Sequence, residues 1–226
     1  MRILVLAICY IEALSAQVAG EANRRYQTPE GRAGIAITLN DPHRDERQKP
    51  KELVAALGLK RGAAVADIGT GTGYMLPFLH EAVGKKGRVY GEDIFDDFLK
   101  QARDRISGKQ YRNITLIKGT EHTTNLPARS VNVALILDAY HHFDFPGDML
   151  ASISKGLKRN GRLVIVDFYK RPEAMPGGNA MQHIRIDFDG VVKEVESYGF
   201  RFVDKKDQIP NSQYMATFVK ASNRKK

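Results

Sequence analysis

The 226-residue chain has a single cysteine, Cys9. An intrachain disulfide is therefore excluded, and the body of the chain offers no thiol nucleophile and no thiolate ligand. No apolar run approaches the roughly 20 residues that a bilayer span needs. Acidic residues are in the minority, 26 against 35 Lys plus Arg, for a formal net charge of +9. That excess would favour an anionic partner. The basic residues are spread along the chain, however, and Asn223–Lys226 reads as a short solvated terminus. No nucleic-acid interface is expected on that distribution. Repeats and low-complexity tracts are also missing, so one α/β domain with a sizeable core is expected.

What is present begins with residues 1–20. Arg2 precedes the apolar run Ile3–Ile11, and Ala13-Leu14-Ser15-Ala16 supplies small residues. This order reads as a secretory signal peptide cleaved after Ser15, Ala16 or Gly20. Leu6-Ala7-Ile8 before Cys9 fits a lipoprotein signal poorly. Residues 21–50 are polar, with Pro29, Pro42 and Pro50 and with Arg24, Arg25, Arg32, His43, Arg44 and Arg47. They form either a lid over a pocket mouth or a surface arm.

Residues 51–226 alternate between strand and helix patterns. Strands are expected at Ala63–Ile68, Arg88–Asp93, Ile114–Lys118, Val131–Leu137, Gly161–Phe168, Phe200–Lys205 and Tyr214–Lys220. Helices are expected at Thr72–Val83, Phe95–Ser107, Pro146–Leu157 and Ile186–Tyr198. The pattern is a Rossmann-like doubly wound sheet of seven strands, mostly parallel, with the last antiparallel.

The organising stretch is Val65-Ala66-Asp67-Ile68-Gly69-Thr70-Gly71-Thr72-Gly73-Tyr74. A strand ends on an acid and enters a glycine-rich turn that opens a helix, the place where open α/β sheets bind ligands. A dinucleotide fingerprint needs a third glycine where Tyr74 stands, so the G-x-G-x-x-G pattern fails. The spacing present, acid-x-G-x-G-x-G, resembles motif I of the class I S-adenosylmethionine-dependent methyltransferases. Val89-Tyr90-Gly91-Glu92-Asp93-Ile94 resembles that family's acid after the second strand. Gly119-Thr120-Glu121 with Leu126-Pro127, the strand to Asp138, and Leu157-Lys158-Arg159-Asn160-Gly161 extend the likeness across about Leu53–Val219. The nearest likeness is to small bacterial methyltransferases of unassigned substrate.

The resemblance implies S-adenosyl-L-methionine as cofactor and methyl transfer to a small-molecule acceptor. It assigns the cofactor to Asp67, Gly69, Thr70, Gly71, Gly73, Tyr74, Asp93, Ile94, Thr120, Glu121 and Asp138. Thr120 stands at the family's usual aspartate, which shifts the adenine-edge contact to Glu121. Tyr140, His141 and His142 are the candidate bases, since an imidazole titrates near neutral pH. No metal is expected, because adjacent histidines diverge on a strand, although His183 or Asp138 could complete a site. Arg185 and Asp187 are candidates either for substrate contact or for a surface arginine and a helix cap. Cleavage of residues 1–20 implies an exported or periplasmic protein, whereas a retained segment implies the cytoplasm, where the cofactor is made. Two rival readings are an exported, non-catalytic binding module on the same scaffold and an NAD-dependent oxidoreductase. No oligomeric state is implied.

Overall fold

The computed structural model describes residues 19–107 and 111–221. Most of the expected signal peptide lies outside the described residues. Seven strands form one sheet in the order β3-β2-β1-β4-β5-β7-β6. They are β1 (Ala64–Ile68), β2 (Arg88–Asp93), β3 (Ile114–Lys118), β4 (Val131–Leu137), β5 (Leu157–Phe168), β6 (Phe200–Ile209) and β7 (Gln213–Lys220). β1 to β5 pair in parallel, while β7 runs antiparallel to both β5 and β6. The strand order reverses between β1 and β4, which opens a crevice beyond their carboxyl ends.

Besides a helical stretch at residues 19–23 and 3-10 turns at Arg24–Gln27 and Tyr140–His142, the described residues form α1 (Pro29–Leu39), α2 (Arg44–Gln48), α3 (Pro50–Ala56), α4 (Leu76–Val83), α5 (Asp96–Ile106), α6 (Pro146–Gly156), α7 (Ala180–His183) and α8 (Phe188–Ser197). The unbroken apolar run of β4 follows from cover on both faces of the sheet. Ala134 and Ile136 enter one core, and Val133, Leu135 and Leu137 enter the other. Each fully buried Val, Leu or Ile there contributes about 1.5–3 kcal/mol of transfer free energy.

Several boundaries differ from the periodicity. The helix expected from Thr72 starts at Leu76. Gly71 and Gly73, at φ +55° and +78°, keep the intervening residues in a turn. Their left-handed backbone cannot continue a right-handed helix. β5 begins at Leu157, pairing with Val131 before a register shift. β6 continues to Ile209 through Lys205-Lys206-Asp207-Gln208. That polar edge lacks the apolar alternation on which the shorter expectation rested, and charges suit an edge strand. Helix α7 has no counterpart among the expected elements. Asp187 caps α8, its carboxylate accepting from Gly190 N at 2.8 Å. Arg185 forms a bidentate pair with Glu194 and is buried, so it is not a surface arginine, whereas Asp187 is an exposed cap.

Residues 24–48 lie against the carboxyl side of the sheet. Tyr26 stacks on Phe95 with ring centroids 5.8 Å apart, and Arg32 Nε donates to Asp97 at 2.6 Å. Further on, Thr72 donates to Asn40 at 2.8 Å, and Gln48 donates to Gln213 at 3.0 Å. Among the described residues no helix is long and apolar enough to cross a membrane.

Candidate active site

A cavity of about 1390 Å³ lies over the crevice, roofed by residues 21–49 and closed at one side by the loop after β5. Its floor is the β1 turn. Gly69 has φ +72°, and a Cβ there would come within 2.8 Å of Ala139 Cβ. Only glycine fits that backbone and that approach without strain. Thr70 Oγ1 donates to Asp67 at 2.6 Å, so the acid ending β1 braces its own turn from below. Gly71 N donates to Asp93 at 2.8 Å, and Phe95 N donates to the other Asp93 oxygen at 2.9 Å. Asp93 thus joins the β1 turn to the entry of α5.

Beside it, Glu92 is 1% exposed and its Oε1 has no hydrogen-bond partner, while Gly69 N donates weakly to Oε2 at 3.4 Å. Burial raises Asp67 and Asp93 to about 6 each, and burial with the nearby Asp93 charge lifts Glu92 well above the carboxylate range. Asp138, at the end of β4, is raised to about 8 by burial and by Asp167, and accepts from Gln213 Nε2 at 2.7 Å. Buried carboxyls gathered at one cavity, one with an empty acceptor, suit a ligand that brings hydroxyl donors and positive charge. Arg44 reaches the same cavity from α2, its guanidinium 4.0 Å from the Tyr74 ring centroid.

The sequence candidates divide by position. Gly69, Thr70, Gly71, Asp93, Ile94, Thr120, Glu121, Asp138, His141 and His142 border the cavity. Asp67, Gly73, Tyr74 and Tyr140 do not. A Cβ on Gly73 would meet Ala102 Cβ at 2.9 Å, so this glycine allows the turn to pack on α5. Tyr74 donates to Asp45 at 2.7 Å and anchors the roof instead of reaching the cavity. Tyr140 turns into the core, where its hydroxyl donates to Glu194 at 2.6 Å, and this geometry removes it from the candidate bases.

At the other end of the cavity stand His141, His142 and His183. Burial lowers His141 and His142 well below the ordinary histidine range, so both rings are neutral at neutral pH. Asp167 supports His141, and Asn23 from the roof supports His142, each at 2.7 Å from Nδ1. Asn23, Arg44, Asp167 and Gln213 carry no local motif, and only their tertiary neighbours mark them. Glu92 had a local signal, as the acid preceding Asp93.

Together, the reversed strand order, the glycine turn and the buried acids define the class I methyltransferase scaffold. The profile of the family described as "Methyltransferase domain" matches residues 59–212. The chain belongs to this family, the class I S-adenosylmethionine-dependent methyltransferases. The ubiquinone/menaquinone biosynthesis C-methyltransferase UbiE of Azotobacter vinelandii is 31% identical over 121 residues, 53% of this chain and 48% of that protein. The protein-L-isoaspartate O-methyltransferase of Ignicoccus hospitalis is 33% identical over 86 residues, 38% of each. The chain thus spans about half or less of the length of these relatives.

Among solved structures, a SAM-dependent methyltransferase from Aquifex aeolicus superposes with a TM-score of 0.75 at 24% identity, over 82% of this chain and 96% of that one. The [4+2]-cyclase SpnF superposes at 0.65 and 15% identity, over 78% and 82%. At these identities the likeness is one of fold, and fold alone does not select a reaction.

Proposed function

We propose that the chain transfers a methyl group from S-adenosylmethionine to a small-molecule acceptor held between the β1 turn and the histidines. The observation that carries this reading is the buried, unpartnered Glu92 Oε1 beside Asp93 at the cavity floor. A ribose diol offers the donor that Glu92 Oε1 lacks, with Asp93, whose oxygens already accept from Gly71 N and Phe95 N, as the second acceptor beside it. The Gly69–Gly71 backbone comes close enough to hold the cofactor's amino-acid end, and Arg44 supplies a counter-charge for its carboxylate. Thr120 and Glu121 border the adenine side. When bound, S-adenosylmethionine supplies a sulfonium methyl group open to direct displacement. The chain's residues align the acceptor, exclude water under the roof and take up a proton. The Nε2 lone pairs of the neutral His141 and His142 rings are the basic atoms available for that proton.

The test has two parts. Calorimetry with S-adenosylhomocysteine and with NAD separates the cofactors, and binding of NAD alone overturns the reading. Mass spectrometry of cell extract incubated with the chain and isotope-labelled cofactor then identifies the acceptor. Cofactor binding without label transfer to any fraction supports a non-catalytic module. Arg2, the Ile3–Ile11 run and the small residues after it further support residues 1–20 as a secretory leader. Mass spectrometry of the mature chain is expected to start at Ala16, Gln17 or Glu21, and a retained Met1 overturns export by this route.

A further inference from the structure

His141, His142 and His183 each place a ligating nitrogen within 4.8 Å of the other two. Their ring centroids lie 4.1, 4.9 and 5.3 Å apart. Neighbouring histidines diverge on a strand, but Tyr140–His142 is a 3-10 turn. With about three residues per turn, adjacent side chains there are separated by roughly 120° and can bend to one side.

Two of the rings have a side-chain oxygen against Nδ1, an arrangement that leaves Nε2 for a metal when that oxygen accepts. Asp167 Oδ1 lies 2.7 Å from His141 Nδ1 and, in its charged form, accepts from it, while Oδ2 accepts from the His141 backbone N–H at 3.1 Å. The Asn23 amide is oriented by its Nδ2, which donates to His142 O and to Asp144, both at 3.0 Å. Asn23 Oδ1 is therefore the atom that accepts from His142 Nδ1 at 2.7 Å. Both Nδ1 protons are engaged, and both Nε2 lone pairs remain. An oxygen behind the far nitrogen is the recurrent support of a metal-bound histidine. His183 arrives from α7, and among the described residues its ring meets the other two imidazoles without a hydrogen-bond partner.

Three histidines with a fourth side open are the donor set of a catalytic zinc site. Around zinc the nitrogens stand about 3.3 Å apart, so the widest gap must close by about 1.5 Å. Ring rotation on the four-residue helix α7 supplies such a movement.

We infer that His141, His142 and His183 bind a divalent first-row transition metal ion, zinc by donor type, with one coordination position turned to the cavity. The binding stands on these residues alone. Its use rests on the methyl-transfer reading, in which that open position takes the oxygen, nitrogen or sulfur atom to be methylated. The histidines then act as ligands rather than as proton acceptors.

The full chain, stripped with a chelator and dialysed, is titrated with zinc chloride by calorimetry and with cobalt chloride by visible absorption. One equivalent per chain and a four-coordinate cobalt spectrum are expected. His183→Ala should lose roughly 100-fold or more in affinity, and Asp167→Asn roughly 10–100-fold. Zinc should raise the melting temperature of the wild type but not of His183→Ala, because only a folded-state ligand stabilises. The inference falls if the wild type binds less than one equivalent, or if the triple His→Ala variant binds as tightly as the wild type. S-adenosylhomocysteine is titrated alongside. Metal without cofactor product overturns the methyl-transfer reading and leaves the metal site standing, whereas cofactor product without metal overturns the metal site alone.

Discussion

The two ends of the cavity are built differently. The end proposed for the cofactor comes from one β-turn-α unit and the strand beside it, with Gly71 N reaching Asp93 only 22 positions away. The histidine end draws on four separated segments. Asn23 meets His142 across 119 positions, and Asp167 meets His141 across 26. The first end is a backbone shape with a short-range signature. The second is a set of side chains whose meaning depends on which distant element they face. A scaffold made this way can keep one cofactor while its acceptor end varies, because only the first end is tied to the glycine turn.

The largest test of this contrast is Asp93→Ala. It frees Gly71 N and Phe95 N and, on the proposed reading, removes an acceptor for ribose hydroxyls, so affinity for S-adenosylhomocysteine should fall by about 1–3 kcal/mol. Calorimetry measures this, and unchanged affinity would detach the acid from the cofactor end.

The pH dependence of the same titration sharpens the point. Asp67 and Asp93 are raised from 3.8 to about 6 in the folded chain. For these groups, stability is greatest at low pH and declines as pH rises from about 3.8 to about 6, since the unfolded chain gives up the protons first. A ligand that donates hydrogen bonds to charged Asp93, the one of the two that borders the cavity, reverses that preference there. Affinity should therefore hold above about pH 6 and weaken below it, by up to tenfold per pH unit for each proton, with Glu92 shifting the onset upward. A flat profile between pH 5 and 8 would show that the ligand does not meet these carboxyls.

Next comes the link between the two ends. Tyr74→Phe removes the hydrogen bond to Asp45 and should loosen residues 40–48 by about 0.5–1.5 kcal/mol. Hydrogen exchange should accelerate there, with less loss of cofactor-product affinity than Asp93→Ala causes. An equal loss would place Tyr74 at the cofactor itself.

The smallest effect is expected from Tyr140→Phe. Its hydroxyl meets Glu194 in the core, so the melting temperature should fall by about 2–4 °C for a loss near 1 kcal/mol. Affinity for S-adenosylhomocysteine should not change, and a change would return Tyr140 to the cavity.

Much of the fold was legible because strand burial and helix amphipathicity leave periodic traces. Where the trace was weak, the reading fell short. β6 beyond Lys205 is polar because it lies at an edge, and the turn before α4 looks helical until its glycines adopt positive φ. Its place in the motif points Tyr74 to the cofactor, yet its hydroxyl spends its hydrogen bond on Asp45. Tyr140 neighbours His141 and His142 in sequence, but its hydroxyl meets Glu194 in the core while the histidines border the cavity.

The glycine spacing from Asp67 to Gly73, taken with Asp93 and the ordered motifs that follow it to Gly161, points by sequence to the scaffold and the cofactor class. Those features are consequences of local backbone geometry: a tight turn, positive φ and a strand end. Only the tertiary structure decided that Asn23, Asp167 and His183 converge on His141 and His142. No periodicity along a chain records which side chain will face a residue 119 positions away. That convergence arises from the sheet's strand order and from the roof folded across its carboxyl edge.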